Sequence, residues 1–286
     1  MKKLTLTITN LLLSATFFFN TAQDNTTDEG VEINGVIWAT RNLDVGGLFV
    51  ENPENYGALF QWGRAADGHE SRTSEKTSTL ANTDTPNHSN YILAPNAPPF
   101  DWRSPQNNAL WNAGTELAPI KAANDPCPCG WRVPTQTEFA SLGEGVQTDI
   151  PVKGLEFSSG NNTLFLPAAG HRCRTYGSLL DVGNFGYYRS SSPNGSLDYN
   201  YAVLAYGFYF KDNNGILTSD MPRGGGHSVR CVKEKGISTS VNEISTEKEK
   251  NIVGYYSILG QKLPKEPASG IYIILYDNGE SEKRIK

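Results

Sequence analysis

Glycine and proline interrupt this chain so often that its regular elements are expected to be short. The 286 residues include 28 glycines and 16 prolines. Both favour turns, because glycine tolerates positive φ and proline fixes φ near the value that many turns need. Since 38% of the residues are hydrophobic and 10% are aromatic, the chain can still bury a core. The pattern predicts an α+β fold that is mostly antiparallel β, with long loops and one or two short helices.

The first 22 residues have the three regions of a secretory signal peptide. Lys2 and Lys3 are positive, residues 4–19 are dominated by apolar side chains, and Ala22 is a small residue that precedes the expected cleavage. Residues 23–30 are predicted to be a polar linker. No later segment approaches the ~18 apolar residues that a membrane-spanning helix needs. We therefore expect a protein that is secreted or held at the outer cell surface, with no transmembrane segment after signal cleavage.

The charge pattern excludes one class of partner. Acidic residues outnumber basic ones by 30 to 25, for a formal net charge of −5, and no dense cluster of Lys and Arg is available to bind a phosphate backbone. Nucleic acid is therefore not an expected partner. No motif predicts a cofactor either, since residues 224–226 are three glycines without the helix and lysine of a phosphate-binding loop.

The four cysteines are expected to form disulfides, because an exported chain leaves the reducing cytosol. They are Cys127, Cys129, Cys173 and Cys231. Three pairings are possible, and a bond between Cys127 and Cys129 would close a strained small ring. The favoured pairing joins Cys127 to Cys231 and Cys129 to Cys173.

Local signals predict several elements. Asn34-Gly35 between two apolar triplets predicts a hairpin with a type I′ turn, and Thr135 with Glu138 forms a capping box that begins a short helix. Residues 64–108 are polar and lack periodicity, which predicts a long surface excursion. Further strands are predicted at residues 164–166, 186–190, 199–210 and 228–232.

Five segments, in order, carry a family resemblance: residues 33–43, 56–62, 125–135, 186–192 and 226–232. They resemble the FISUMP (major paralogous) domain, over residues 31–234. The resemblance implies a C-type lectin-like fold, a small antiparallel sheet with flanking helices and long loops. It also implies a bridge from an early helix region to the last strand, with which the pairing of Cys127 and Cys231 agrees.

The C-terminal residues predict a separate small β unit. Residues 235–250 are polar and predict a linker, and residues 252–259, 270–276 and 281–285 predict short strands, the last two joined by Asn278-Gly279. Residues 251–286 resemble the type IX secretion (Por) sorting domain, which implies the type IX secretion machinery as a partner. The alternative is a terminal hairpin packed on the main domain.

Aromatic residues are the candidate ligand contacts. Tyrosines crowd residues 187–209, and sugars stack on such rings, although tyrosines at alternating strand positions also pack sheet faces. Trp102 lies in the long excursion and is predicted to be an exposed contact. The candidate site residues are Trp102, Tyr187, Tyr188, Arg189 and Tyr206.

Three functional hypotheses follow from these observations. The first is an exported, non-catalytic module that binds a glycan or a protein partner. The second is a structural or adhesive surface component without a small ligand. The third is an enzyme similar to formylglycine-generating enzymes, for which the chain has no convincing active-site match. A zinc site from the four cysteines with His171 and His227 is disfavoured, since the spacings match no strong zinc signature. No catalytic residue and no metal ligand is therefore assigned.

Overall fold

The computed structural model describes residues 26–194, 204–211, 214–234, 252–257, 261–276 and 281–285. The chain divides into two compact units, Met1–Lys235 and Gly236–Lys286. The predicted signal peptide and the predicted linker at 235–250 lie outside the described residues. Within the described residues, no helix is long and apolar enough to cross a membrane.

In its described residues, the larger unit is built from short strands and one α-helix. Its elements in chain order are β1 (Val31–Ile33), β2 (Val36–Trp38), a 3-10 turn (Val45–Gly47), β3 (Phe60–Gln61), β4 (Lys76–Thr77), β5 (Tyr91–Ile92), β6 (Trp131–Arg132), α1 (Gln136–Ala140), β7 (Val146–Thr148), β8 (Gly154–Ser159), β9 (Asn162–Pro167), β10 (His171–Arg172), β11 (Leu179–Leu180), β12 (Phe185–Pro193), β13 (Leu204–Lys211), β14 (Asn214–Pro222), β15 (Gly226–His227) and β16 (Val232–Lys233).

These strands form several small sheets, which are mostly antiparallel as predicted. Their orders are β1-β2-β16-β6, β11-β10-β15-β3, β12-β13-β14 and β7-β8-β9. Strands β4 and β5 pair in parallel. The predicted strands at 164–166 and 186–190 lie within β9 and β12, and β13 covers the described part of the one predicted at 199–210.

The strand predicted at 228–232 is wrong as a continuous element. Strand β15 ends at His227 and pairs with β3 and β10, whereas β16 begins at Val232 and pairs with β2 and β6. The intervening residues carry the chain from one sheet to another, so they cannot continue either ladder.

The N-terminal hairpin is confirmed. Val31 pairs with Trp38 and Ile33 with Val36, and the turn residues Asn34 and Gly35 have φ of 49° and 82°. Positive φ at both central positions is what a type I′ turn requires.

Part of the predicted linker before this hairpin belongs to the fold. The Asp28 carboxylate accepts hydrogen bonds from the Thr40 backbone N–H at 3.0 Å and from Arg41 Nε at 3.0 Å. Its side chain is fully buried. Asp28 therefore fixes this part of the predicted linker over residues 23–30 to the domain.

The capping box is also confirmed. The Thr135 hydroxyl accepts from the Glu138 N–H at 3.2 Å, and the Glu138 carboxylate accepts from the Thr135 N–H at 2.9 Å. Arg132 donates to the same carboxylate at 2.7 Å, so the start of α1 is held on β6.

One apolar core lies where α1 packs on the strands. Phe139 of α1 stacks on Phe208 of β13 with ring centroids 5.6 Å apart, and Phe157 of β8 meets the same ring edge-on. The cluster comprises Ile33, Trp38, Phe139, Leu142, Leu155, Phe157, Leu164, Leu166, Ala168, Tyr188, Phe208, Phe210 and Val232.

A second apolar cluster surrounds the disulfide between Cys127 and Cys231. This bond was predicted, and it links the segment before β6 to the residue that precedes β16. The other predicted bond does not form: Cys129 and Cys173 are free thiols. Separate turns fix the two residues, Cys129 in the turn before β6 and Cys173 in the β10–β11 connection.

The described residues of the smaller unit form a four-stranded antiparallel sheet. Its strands are β17 (Ile252–Ser257), β18 (Lys262–Leu263), β19 (Ile271–Tyr276) and β20 (Ser281–Ile285), in the order β18-β17-β19-β20. Antiparallel pairing of β19 with β20 confirms the predicted hairpin, whereas Asn278-Gly279 lies outside the described residues. Tyr272 and Ile274 are both 1% exposed, so this sheet has a small apolar face of its own.

Candidate functional site

Three of the predicted ligand contacts are wrong, because their side chains are buried. Trp102, Tyr188 and Arg189 are each 0% exposed. Trp102 Nε1 donates to the Trp62 carbonyl at 2.7 Å, and the Tyr188 hydroxyl donates to the Pro167 carbonyl at 2.8 Å. Both rings therefore anchor loops instead of contacting a ligand.

Arg189 is enclosed by the segment that joins β14 to β15. Its NH2 group donates to the Gly225 carbonyl at 2.7 Å and to the Pro222 carbonyl at 2.6 Å. Burial lowers the pKa of Arg189 to about 9, so the group still carries a positive charge at neutral pH. Tyr206, also predicted, is half-buried, and its carbonyl accepts from Ser190 Oγ at 2.7 Å.

Tyr187 is the predicted contact that lies in a pocket. The pocket has a volume of about 250 Å³, and we call it the histidine pocket. Its lining residues are His171, Arg172, Cys173, Arg174, Tyr187, Met221, Pro222, Gly225 and His227.

Two histidines from neighbouring strands meet in this pocket. Pairing of β10 with β15 brings His171 and His227 together, with ring centroids 5.8 Å apart. The Tyr187 ring lies 4.6 Å from the His171 ring and 5.6 Å from the His227 ring. The Tyr187 hydroxyl donates to the Asp181 carboxylate at 3.1 Å, which fixes the orientation of the ring.

Both histidines are held neutral at physiological pH. Burial lowers the pKa of His227 well below its ordinary value, and the charge of Arg189 acts in the same direction. Burial also lowers the pKa of His171, although the Asp181 carboxylate, 3.4 Å from Nδ1, opposes the shift. The Nδ1 atoms of both rings are buried without a hydrogen-bond partner.

Cys173 presents a free thiol to the same pocket. Burial raises its pKa, but hydrogen bonds from the Thr175 hydroxyl and from the backbone at Thr175 and Tyr176 outweigh this and lower it overall. One hydrogen-bond contact of its Sγ is Thr175 Oγ1 at 3.2 Å, and among the described residues no histidine nitrogen bonds the sulfur. No thiol–imidazole pair of the kind that activates a nucleophile is therefore formed.

A second depression is lined in part by the two residues that follow Arg174 of the histidine pocket. We call it the tyrosine groove. It has a volume of about 430 Å³. Its lining residues are Ser78, Leu80, Leu93, Ala94, Pro95, Asn96, Thr175 and Tyr176. Tyr176 is 70% exposed, so its ring is available to a ligand.

Hydrogen bonds hold the two walls of the groove together. The Ala94 N–H donates to the Arg174 carbonyl at 2.8 Å, and Lys76 Nζ donates to the Tyr176 carbonyl at 3.2 Å. Parallel pairing of β4 with β5 fixes the wall from the long excursion. The groove is thus preformed.

The sequence analysis did not identify Tyr176. It lies in the connection between β10 and β11, next to Gly177, whose φ is 65°. An aromatic residue in so tight a turn has no strand neighbour to pack against. A tyrosine directly before a turn glycine was therefore the sequence signal that could have identified Tyr176. The predictions instead followed the tyrosines of β12 and β13, most of which pack the sheet.

One cluster of two acidic residues and a histidine has the spacing of a metal site, but hydrogen bonds within the protein occupy its histidine. Ligand atoms of Asp67, His69 and Glu70 lie within 4.8 Å of one another. However, His69 Nε2 accepts from the Gln61 N–H at 3.0 Å, so Nδ1 carries the proton and donates to Asp67 at 2.7 Å. Neither nitrogen of His69 has a lone pair left for a metal, and the cluster stabilises the loop.

The zinc site weighed from the cysteines and histidines does not form either. The disulfide removes Cys127 and Cys231 as ligands, and the remaining candidates do not come together as a group of three within the described residues.

No known protein family, curated protein or solved structure matches this chain.

Proposed function

We propose that the larger unit is an exported, non-catalytic binding module of C-type lectin-like fold, related to the FISUMP domain, which binds a glycan in the tyrosine groove. The observation that carries this proposal is the exposure of Tyr176, 70%, on the wall of a preformed groove. Sugar rings stack their C–H faces on exposed aromatic rings, and the phenol hydroxyl supplies a hydrogen bond.

The polar groups of the groove support the same ligand class. Ser78, Asn96 and Thr175 line it together with apolar side chains. Hydroxyl and amide groups both donate and accept hydrogen bonds, as sugar hydroxyls require. Its volume of about 430 Å³ falls within the range of about 300–1,000 Å³ that is usual for small-ligand sites.

The test is binding of the mature chain to a glycan array, followed by titration with the best ligand. We expect Tyr176→Ala to weaken binding about tenfold, which corresponds to about 1.4 kcal/mol, whereas Tyr176→Phe retains most of the affinity because stacking is kept. Leu117→Ala is the matched control, since Leu117 is 86% exposed and lies outside the groove. Equal binding by Tyr176→Ala and the unmodified chain would overturn the proposal.

A second candidate, an adhesive surface component that binds protein, is favoured by an apolar patch. Leu179, Leu180 and Val182 are 41%, 44% and 39% exposed, and exposed apolar patches mark protein contacts. If the chain functions in this way, Leu179→Ser with Leu180→Ser abolishes adhesion to cells, and Tyr176→Ala leaves it unchanged.

Export and sorting are part of the proposal. We propose that residues 1–22 are removed and that residues 251–286 direct passage through the type IX secretion machinery to the cell surface. Mass spectrometry of the native extracellular protein without reduction reports both cut sites. A chain found only inside the cell, with residue 1 retained, would contradict this part.

A further inference from the structure

The histidine pocket collects buried nitrogen atoms that have no hydrogen-bond partner. They are Nδ1 of His171, Nε of Arg174 and Nδ1 of His227, and Nε of Arg189 lies behind the wall. His227 is 6% exposed and Arg189 is 0% exposed. The two arginine Nε atoms are donors, whereas Nδ1 of a neutral imidazole donates in one tautomer and accepts in the other. A buried donor without an acceptor costs about 1–3 kcal/mol, so the arginine donors at this pocket indicate an acceptor that comes from outside the chain.

The local charge decides which acceptor fits. Arg172 and Arg174 line the pocket, and Arg189 bonds the carbonyl of Gly225 in its wall. The Asp181 carboxylate, bonded to Tyr187, lies 3.4 Å from His171 Nδ1. Three positive charges against one negative charge oppose a metal cation. They favour an anion, since charge-assisted hydrogen bonds to carboxylates and sulfates are the strong ones.

Arg174 is the group best placed to bind it. The other two guanidinium groups are occupied: Arg172 donates to the Ser71 carbonyl and to Ser74, and Arg189 donates to Pro222 and Gly225. The contact of the Arg174 guanidinium among the described residues is the face of the Phe100 ring, 5.1 Å from its centroid. That contact leaves its N–H donors available.

We infer that the histidine pocket binds a carboxylate or sulfate group, and that this group belongs to an acidic sugar. The second half of this inference rests on the proposed function. Arg174 lines the histidine pocket and the next two residues, Thr175 and Tyr176, line the tyrosine groove, so one short segment contacts both. The volume of about 250 Å³ suits a single small substituent and its ring, below the size of most drug-like sites.

The test is isothermal titration calorimetry of the mature chain with three probes: glucuronic acid, glucose and sodium sulfate. We expect glucuronic acid to bind at least tenfold more tightly than glucose, and sulfate to compete with it. Arg174→Gln should weaken glucuronic acid at least tenfold and leave glucose binding unchanged. Arg103→Gln is the control, because Arg103 pairs with Asp84 at 2.9 Å and lies outside both depressions.

The outcomes separate this inference from the proposed function. If glucose and glucuronic acid bind with equal affinity and Tyr176→Ala loses binding of both, the result overturns the anion pocket and agrees with the glycan module. If sulfate and glucuronic acid bind with equal affinity and Tyr176→Ala changes neither, the result supports the anion pocket and overturns the glycan module. Circular dichroism confirms that each variant is folded, and His171→Gln serves as a second pocket variant should Arg174→Gln fail to fold.

Discussion

The larger unit has two kinds of interior: one stabilises the packing of the helix on the strands, and the other stabilises the loops. The apolar core around Phe139 and Phe208 joins α1 to the strands by side-chain packing. Elsewhere the interior contains arginines that are 0% exposed, namely Arg64, Arg189, Arg223 and Arg230. These donate mainly to backbone carbonyls of loops; Arg64, for example, bonds the carbonyls of His88 and Asn90.

The difference teaches how a fold of short elements can carry long loops. A loop has few ladder hydrogen bonds, so its buried carbonyls need other donors. One guanidinium group supplies five N–H donors in a fixed plane. The apolar core therefore determines global stability, whereas the buried arginines determine the conformation of particular loops.

The largest expected effect is in the apolar core. Phe208→Ala should lower the free energy of unfolding by about 3–5 kcal/mol, the usual cost of truncating a buried phenylalanine. Urea denaturation followed by tryptophan fluorescence measures it. Leu117→Ala, on the surface, should change it by less than about 0.5 kcal/mol. A Phe208→Ala loss as small as that would mean that this cluster does not determine global stability.

Arg64→Met should lower the free energy of unfolding by less, about 2–3 kcal/mol. Its effect on the long excursion should be larger than its effect on the rest of the unit. It removes the charged donor to the carbonyls of His88 and Asn90, and a hydrogen bond from a charged group contributes about 1.5–3 kcal/mol. Amide hydrogen exchange should speed up at Tyr91 and Leu93, whose N–H groups bond across the excursion. In Phe208→Ala, by contrast, exchange should speed up throughout the unit. Uniform acceleration in both variants would remove the distinction between the two interiors.

Stability should also depend on pH through the histidine pocket. The groups that face His227 are His171, Tyr187 and Arg189, and both His171 and Arg189 oppose its protonation. Since the folded-state pKa of His227 is depressed, the unfolded chain binds a proton near pH 6 that the folded chain does not. The free energy of unfolding therefore falls as pH drops below about 6.5, by up to about 1.4 kcal/mol per pH unit for one proton.

Thermal unfolding between pH 5 and pH 8 measures this dependence, and His227→Asn should flatten it. Sodium sulfate should stabilise the chain more at pH 5.5 than at pH 8, because a bound anion favours the protonated rings. The negative charge of the Asp181 carboxylate beside His171 repels the anion and so reduces this stabilisation. Stability that rises on acidification in the absence of anions would contradict the assigned direction.

The smallest expected effect is at the start of α1. Thr135→Ala removes the cap bond to the Glu138 N–H and should cost about 1 kcal/mol. Thr135→Ser keeps a hydroxyl and should recover most of the loss in the same urea titration. If both variants are equally destabilised, the methyl group and not the hydroxyl is what matters at this position.

Local signals made part of this structure predictable from the sequence. Asn34-Gly35 encodes its turn through positive φ, and Thr135 with Glu138 encodes a helix start within four residues. By contrast, the burial of Trp102 depends on Trp62, forty positions away, whose carbonyl it bonds. The change of sheet after His227 likewise depends on which distant strands are adjacent.

The candidate site was predictable only in part for the same reason. Tyr187 lies in a pocket as expected for a ligand contact, but Tyr188 next to it points into the core because strand side chains alternate. The partners of Tyr187 are histidines that β10 and β15 bring together. Pairing of those strands leaves no periodic trace, since each is two residues long.

The disulfide has a consequence for how this protein can be studied. Its cysteines are 104 positions apart. The segment between them contains α1, the histidine pocket, and Thr175 and Tyr176 of the tyrosine groove. A protease that cuts once inside that segment yields two fragments that stay joined until a reductant is added. Intact mass under non-reducing electrophoresis is therefore no proof of an uncut backbone, and samples need a reduced lane beside the oxidised one.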